Sequence, residues 1–328
     1  MNTIISSTYN NSEFLEFIKN LNPKTGEYTL AHNPVIPKLL QRIFGYSPCY
    51  IRYVDDATGE LIGFMNGVTF NGKFISMPHF SYGGVACKNS NIATEIEQNI
   101  KGHFEIRSFH HSSKYSSDKK VTAYLDLSGG EDSIFPLLKY NIRRQIRIAT
   151  ENNITVKRGK KELLDDFLKV YYQNMTRLGS PPQPRHFFST LLDGWENGEA
   201  TIFCSYYRNK PVGGCFLLSF GDIIENCWAG TLYEYNKIFV PYLVYSEIIK
   251  YSIREGYRIF SFGRSSKEGG TLGFKKHWKP EIIQLYFNYS SPLKENLKDN
   301  QSLRFLYRKT VPLWVNIWIG KLLTKYIY

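Results

Sequence analysis

The chain has 328 residues, of which 42% are hydrophobic and 21% charged. These proportions exclude a disordered or membrane-embedded chain and indicate a globular protein, and the length favours two domains. The net charge of +12 favours anionic partners without choosing among nucleic acid, nucleotides, phosphorylated carriers and an anionic membrane surface.

The cysteines and the N-terminus bear on the compartment. Five scattered cysteines include no C-x-x-C pair and no zinc-like spacing, so we expect free thiols, a reducing compartment and no metal site. Residues 1–6 lack the order of a signal peptide. The sequence contains no apolar run of about 18 residues, so no membrane-spanning helix is predicted. We therefore expect a cytoplasmic protein.

The first half predicts a mixed sequence of elements. Apolar periodicity predicts helices over 12–20, 37–44 and 92–101, and strands over 49–54, 61–70, 73–76, 104–107 and 122–126. The dipeptide Asn71-Gly72 between two apolar runs predicts a hairpin turn. A single long helix is predicted over 133–152.

The second half repeats this order. Helices are predicted over 162–177, 184–197 and 241–255, and strands over 154–157, 201–207, 212–220, 223–229, 258–261 and 281–289. Each half thus reads helix, helix, hairpin, strand, helix, strand. This order predicts an α/β (α+β) protein of two tandem, similarly built domains, over residues 1–150 and 151–328.

Four segments are candidates for the functional site. Residues 78–85 contain Gly83-Gly84 after a strand, which suits close approach of a ligand to the backbone or simply a tight turn. Residues 139–161 are basic, and Arg143, Arg144 and Arg147 share a helix face that can bind phosphate or merely be solvated. In residues 171–182, helix capping explains the sequence well enough.

The fourth segment is the strongest candidate. A predicted strand ends at Ser261, a glycine-rich loop follows, and Arg264, Lys275 and Lys276 supply positive charge. Ligands of open α/β sheets bind beyond the carboxyl ends of strands. The competing interpretation is a plain loop. The familiar nucleotide, hydrolase and metalloprotease motifs are absent from the sequence.

The tail over residues 303–328 has five basic residues and no acidic one. Its apolar residues, interrupted by Pro312 and Gly320, suit either a basic amphipathic element at a membrane surface or a terminal helix docked on the body. The docked helix is the favoured interpretation.

Several short motifs, in this order, resemble the FemAB-like proteins, including those of exopolysaccharide and exosortase gene clusters. They are Tyr82-Gly83-Gly84, Arg143-Arg144-x-x-Arg147-x-Ala149, Met175-x-x-Leu178-Gly179-x-Pro181 and Phe262-Gly263-Arg264-Ser265, together with Val311-Pro312-Leu313 in the tail. The resemblance runs from about residue 78 to the C-terminus. It implies two GNAT-like domains and transfer of acyl or aminoacyl groups.

The resemblance also implies roles for single residues. Lys275 and Arg264 would be catalytic and bind phosphate. Donor-binding residues would be Phe274, Gly263, Ser265, Tyr82, Gly83 and Gly84, and substrate-binding residues Arg143, Arg144, Arg147, Tyr172 and Arg177. No tightly bound cofactor is implied; the co-substrate would be aminoacyl-tRNA, acyl-CoA or an acyl-carrier protein.

Two departures from the family pattern stand out. Ser261 occupies a position that is acidic in many relatives. Residues 235–240, before the predicted helix at 241, contain no glycine, whereas a GNAT pyrophosphate loop uses glycines to present backbone amides to phosphate.

The resemblance predicts an enzyme that forms an amide on an amine-bearing cell-envelope or polysaccharide precursor. Possible partners are a phosphorylated acceptor, tRNA and, through residues 303–328, the inner membrane surface. One alternative is an acyl-CoA or acyl-carrier-protein dependent N-acyltransferase acting on an amino sugar or amino acid. The other is a non-catalytic basic protein that binds RNA or a membrane surface.

Overall fold

The computed structural model describes residues 2–292, 307 and 310–327. The first half contains β1 (Asn2–Ser6), α1 (Asn11–Lys19), α2 (Ile36–Phe44), β2 (Ser47–Val54), β3 (Leu61–Phe70), β4 (Lys73–Ile75), α3 (Ser90–Gln98), β5 (Phe104–Ser108), β6 (Tyr115–Asp126) and α4 (Gly130–Ile134). Local signals set these ends: the Asn89 side chain caps α3, and Gly45 ends α2 in the left-handed conformation.

The second half contains α5 (Tyr140–Glu151), β7 (Thr155–Gly159), α6 (Leu164–Arg177), α7 (Arg185–Gly194), β8 (Ala200–Tyr207), β9 (Lys210–Phe220), β10 (Ile223–Thr231), α8 (Val240–Arg254), β11 (Ile259–Ser261), β12 (Ser265–Ser266), α9 (Gly270–Lys276), β13 (Glu281–Tyr289) and α10 (Leu313–Leu323). Residues 303–306, 308, 309 and 328 of the predicted tail lie outside the described residues.

Three features differ from the predicted elements. The single helix expected over 133–152 is wrong: it is two helices, α4 and α5, separated by a segment that contains Pro136. Proline has no N–H and its ring collides with the preceding turn, so it interrupts the apolar periodicity. The sequence also gave no indication of β1 or of α9, which are five and seven residues long.

The strands form one 13-stranded sheet in the order β1-β2-β3-β4-β5-β13-β6-β11-β10-β9-β8-β7, with β12 on β6. The pairs β4–β5 and β10–β11 are parallel. The two halves therefore repeat one topology and lie side by side. The predicted α/β fold of two similarly built domains is confirmed, whereas the boundary at residue 150 stays a prediction.

The halves exchange their last strands. β6 follows the first half in the chain but pairs with β11 of the second, and β13 pairs with β5 of the first. β6 and β13 also pair with each other along most of their length. Three adjacent strand pairs thus join the halves into a continuous sheet.

Alternating side chains place helices on both faces of this sheet. One face packs on α1, α2, α6 and α7; the other packs on α3 in the first half and on α5 and α8 in the second. In β8, for example, Ile202 and Cys204 face the first layer and Phe203 faces the second. This period of two is what a strand buried on both faces requires.

Candidate active site

The candidate site lies where β10 and β11 separate. The two strands are paired in parallel from Ile223 with Ile259 to Glu225 with Ser261. Beyond this point β10 continues beside β9, whereas β11 ends and its chain turns away. The gap therefore opens at the carboxyl ends of two parallel strands, the usual place for a ligand in such a sheet.

A buried polar cluster fills the vertex of this gap. Glu225, Ser261 and Tyr124 project to the same face from β10, β11 and β6, and Ser81 and Tyr82 approach from the segment after β4. The Glu225 carboxylate accepts hydrogen bonds from Ser81 Oγ at 2.6 Å and Ser261 Oγ at 2.8 Å. Tyr82 donates to the Tyr124 hydroxyl at 2.9 Å.

The environment of Glu225 makes it a stronger base than a solvated carboxylate. Burial raises its pKa, while the hydroxyls of Ser81 and Ser261 and the charge of Lys275 act in the opposite direction. The neighbouring Cys227 has a pKa raised well above the usual value by burial and by Glu225. Cys227 is therefore a thiol at neutral pH and a poor nucleophile.

Lys275 holds the glycine loop from inside. Its side chain is only 3% exposed, and Nζ donates to the carbonyl oxygens of Gly263 at 2.8 Å and Arg264 at 3.3 Å. Burial and the Arg264 charge lower the pKa of Lys275 to about 8, against the opposing influence of Glu225. Its predicted contact with donor phosphate stays a prediction that this arrangement does not favour.

Arg264 also contacts the polar cluster. Its guanidinium donates to the Ser81 carbonyl oxygen at 3.3 Å and lies 5.3 Å from the ring centre of Phe287. Burial and the nearby Arg107 lower its pKa to about 10, so Arg264 remains a cation at neutral pH. Arg264 is half-buried and is the predicted phosphate ligand best placed beside the gap.

The other predicted donor-binding residues of the second half are Gly263, which lies at the vertex, and Ser265 and Phe274, which are held by neighbouring elements. Gly263 is left-handed, with φ of 67°, and a Cβ there would meet the Asn226 carbonyl oxygen and Ser81, so glycine is required at the vertex. Ser265 is buried in the β12–β6 pair, and Phe274 packs edge-on against Tyr242 and Tyr245.

In the first half, the glycine pair supports the backbone. The Gly83 amide donates to the Arg107 carbonyl oxygen at 2.7 Å. Gly84 has φ of 95°, and a Cβ there would collide with Ser108. Of the predicted Tyr82–Gly84 segment, only Tyr82 joins the polar cluster, and the tight-turn interpretation accounts for both glycines.

The predicted substrate-binding residues lie elsewhere. Arg143, Arg144 and Arg147 are on the exposed face of α5, where Arg147 pairs with Glu151. Tyr172 packs against the core beside Tyr171. Among the contacts of the described residues, none links these four side chains to Glu225, so their roles stay predictions.

Arg177 lies near the chain that leads into α8. Its guanidinium lies 5.2 Å from the ring centre of Tyr233 and donates to Asn174. Asn174 in turn lies against Gly230 of β10. Arg177 thus borders the glycine-free loop, although at the opposite end of β10 from Glu225.

Some of the backbone donors of that loop are already engaged. Residues Tyr233–Ile238 form a 3-10 helix, and the amides of Tyr235, Phe239 and Tyr242 each donate to a carbonyl oxygen of residues 232–239. Pro241 has no N–H. The start of α8 therefore offers a pyrophosphate fewer free amides than a glycine-rich loop would.

Sequence reasoning missed Glu225 and Ser81. A signal for Glu225 existed: it is an acidic residue within the apolar strand run Ile223–Ala229, and a carboxylate in a buried strand is almost always paired. In the parallel pair of β10 and β11 it lies directly opposite Ser261.

Two cavities adjoin the cluster. The smaller one is a narrow crevice, lined by Glu225, Ser81, Tyr82 and residues 29–31, that has no room for a water molecule. A larger cleft, about 400 Å³, lies where β6 ends and β13 begins, between Leu137, Trp278 and the Lys24–Asp126 ion pair. Tyr124 lines this cleft and bonds to Tyr82, so it stands between the cleft and Glu225.

Comparisons with known proteins agree with this architecture. Residues 138–278 match the family model described as an acetyltransferase (GNAT) domain. The crystal structure of FemX superposes with a TM-score of 0.62 at 13% identity, covering 94% of this chain and all of FemX. A tandem GNAT protein from the clavulanic acid biosynthesis pathway superposes with a TM-score of 0.50 at 9% identity, covering 89% of this chain and all of that one.

A third similar structure is the C-terminal domain of a putative lysylphosphatidylglycerol synthetase from Agrobacterium fabrum, with a TM-score of 0.53, 10% identity and coverage of 86% and 92%. No curated protein matches the sequence. Among the described residues, no helix has the length and apolarity needed to cross a bilayer.

The fold and the family match define the class: a GNAT-type enzyme that transfers acyl or aminoacyl groups. Residues 138–278 form a GNAT domain, and the chain as a whole shares the fold of FemX and of a tandem GNAT protein. The predicted fold of two GNAT-like domains and the predicted acyltransferase class are confirmed, and the FemAB-like resemblance agrees with the fold of FemX.

Proposed function

We propose that the protein transfers an acyl or aminoacyl group from a phosphate-bearing donor to an amine of a cell-envelope or polysaccharide precursor, with Glu225 as the proton acceptor. The observation that carries this proposal is the buried Glu225 carboxylate at the vertex between β10 and β11, hydrogen-bonded to Ser81 and Ser261. A carboxylate with a raised pKa suits general base catalysis.

The proposed reaction is a direct displacement. The amine nitrogen attacks the carbonyl carbon of the activated ester or thioester, forming the C–N bond, and the C–O or C–S bond then breaks. Glu225 takes the proton from the attacking nitrogen and returns it to the leaving oxygen or sulfur. Direct attack is favoured over an acyl-cysteine because Cys227 remains a thiol.

The donor is bound without an ordinary pyrophosphate loop. Because the amides of Phe239 and Tyr242 are engaged and Pro241 has none, a coenzyme A pyrophosphate would find fewer backbone ligands than usual in the second half. Aminoacyl-tRNA is therefore the favoured donor, with Arg264 as the half-buried cation beside the polar cluster. An acyl-CoA or acyl-carrier protein remains the alternative to test.

We propose that the body of the acceptor lies in the 400 Å³ cleft beside Tyr124 and that its amine reaches past Tyr124 to Glu225. The rim of the cleft carries Lys24 and Lys279 together with Asp126 and Glu281, which suits a substrate with both anionic and amino groups. The apolar wall of Leu137 and Ile134 would accept a carbon ring or chain.

Product analysis with defined donors tests the function. The purified chain is incubated with aminoacyl-tRNA, acyl-CoA or acyl-carrier protein and a panel of amino sugars and envelope precursors, and amides are sought by mass spectrometry. Glu225→Gln should lower kcat by about a hundredfold or more with little change in KM, since general bases contribute on the order of 10²–10⁴ in rate.

The matched control is Glu247→Gln. The Glu247 carboxylate is partly exposed on α8, and it is far along the chain from the vertex. This variant should leave turnover unchanged. Full activity of Glu225→Gln would remove the proposed base, and absence of any amide with all three donors would contradict the proposed function.

A further inference from the structure

The helix α10 turns its polar side chains towards the protein and its apolar side chains outward, which is the reverse of an ordinary docked helix. Its inward row is small and polar: Asn316, Gly320 and Thr324, spaced by four residues, are buried. Its outward row is apolar and aromatic: Trp314 and Trp318 are 73% and 60% exposed, and Leu322 follows at the same spacing. Four-residue spacing keeps each row on one face.

Specific polar contacts hold the inward row in place. Asn316 Nδ2 donates to Thr176 Oγ1 at 2.8 Å and to the Ser180 carbonyl oxygen at 3.1 Å. Gly320 lies against the Pro182 carbonyl, where a Cβ would overlap the oxygen atom. The hydrogen bond from Tyr46 to the Lys325 carbonyl oxygen fixes the end of the segment. The orientation of α10 is therefore determined by its buried face.

The exposed face combines apolar and cationic groups. Leu313, Leu323 and Tyr326 add to its exposed apolar surface. Lys321 is exposed, and Lys325 is half-buried with its ammonium over the Phe70 ring. Residues 303–328 contain no acidic residue, and the whole chain carries +12. Tryptophan and lysine together suit the boundary between acyl chains and anionic headgroups.

We propose that the outward face of α10, centred on Trp314, Trp318 and Leu322, inserts into the interface of an anionic lipid bilayer. Insertion buries the exposed indole rings, and Lys321 and Lys325 contact lipid phosphate. Because α10 stays docked through Asn316 and Gly320, the whole protein is held at the membrane in one orientation. The inward face of α10 is then the docked helix, and its outward face is the membrane-surface element, which the sequence presented as alternatives.

A chain of contacts connects the end of the α10 segment to the candidate site. Tyr46, which bonds to the Lys325 carbonyl, also bonds to His79 at 3.0 Å, and His79 lies two residues before Ser81 of the polar cluster. The contact with lipid is therefore connected to the segment that carries Ser81. This placement suits an acceptor presented at a membrane surface.

Vesicle binding of the full chain tests the proposal. Vesicles of phosphatidylcholine alone and with a third phosphatidylglycerol are titrated, with tryptophan emission and co-sedimentation as readouts. We expect binding to the anionic vesicles that weakens with salt. Trp314→Ser/Trp318→Ser should lower it at least tenfold, and Lys321→Gln/Lys325→Gln about thirtyfold on anionic vesicles, at about fivefold per lysine.

The control variant Ile5→Ser/Tyr140→Ser removes two equally exposed apolar side chains elsewhere and should bind like the unchanged chain. Circular dichroism and thermal unfolding verify that each variant is folded. Equal binding by the tryptophan variant, or no preference for phosphatidylglycerol, would overturn the proposal. So would a lipid-free dimer that the tryptophan substitutions dissociate, because a second copy would then cover this face.

Discussion

At the scale of single residues, the candidate site depends on Lys275 as a positioning group. Its ammonium joins two consecutive carbonyl oxygens of the glycine loop and lies near Glu225. One buried cation thus contacts the loop and lies near the proposed base. Such a group acts on turnover through the residues that it holds, without contacting the donor.

The lowered pKa of Lys275 predicts an alkaline limit to activity. The ammonium is present below pH 8 and loses its proton as the pH rises through about 8, so kcat/KM should fall above that value. Lys275→Met should lower activity about a hundredfold and remove this limb from the pH profile. Lys276→Ala, an exposed neighbour on α9, should keep it.

The contribution of Lys275 to stability should change with pH in the opposite direction to activity. Between pH 8 and 10.5 the unfolded chain binds the proton that the folded chain has lost, so the contribution of Lys275 to the free energy of unfolding rises with pH. An alkaline activity limb in Lys275→Met identical to that of the unchanged chain would contradict its role in the loop.

At the scale of elements, α3 is anchored by a buried carboxyl. Glu97 accepts hydrogen bonds from Ser108 at 2.8 Å and Ser112 at 2.9 Å, and burial raises its pKa to about 7. The folded chain therefore holds an extra proton between pH 4.5 and 7, and stability contributed by this group falls as the pH rises through that window.

Glu97→Gln should remove this dependence. The neutral amide keeps the size of the side chain, so its stability relative to the unchanged chain should increase between pH 5 and 8, by on the order of 3 kcal/mol. Urea unfolding at both values measures the difference. Glu95→Gln, exposed on the same helix, is the control, and an equal response of both variants would show that Glu97 is not the responsible group.

The docking of α10 depends on the absence of a side chain at Gly320. Gly320→Ala would force a methyl group onto the Pro182 carbonyl, and overpacking of this kind costs about 1–3 kcal/mol. Since α10 contributes no strand to the sheet, we expect it to detach while the sheet remains folded, which limited proteolysis detects as early cleavage near residue 312. Lys321→Ala should leave the cleavage pattern unchanged.

At the scale of the whole molecule, the exchange of β6 and β13 makes the halves mutually dependent. Residues 1–150 alone would expose the edge of β5, which pairs with β13, and would leave β6 without β11. Unpaired strand edges of this length aggregate. We expect that fragment to be insoluble alone and to become soluble when co-expressed with residues 151–328; solubility by itself would contradict the dependence.

The local elements followed from the sequence because each is encoded by near neighbours. The alternation in β8 and β9, the Asn71-Gly72 turn and the repeated order of elements all depend on residues a few positions apart, and they were sufficient to predict two similar α/β domains. Pro136 was available as a local signal as well, and it explains why the predicted long helix is two.

Only the tertiary structure decided the site. The Glu225–Ser261 register, the approach of Ser81 across 144 positions and the burial of Lys275 depend on which strands lie side by side, a choice made by packing over the whole chain. The sequence could likewise predict that α10 has apolar and polar residues. Which face is turned outward was settled by the buried contacts of Asn316 and Gly320 with a turn more than 130 residues earlier.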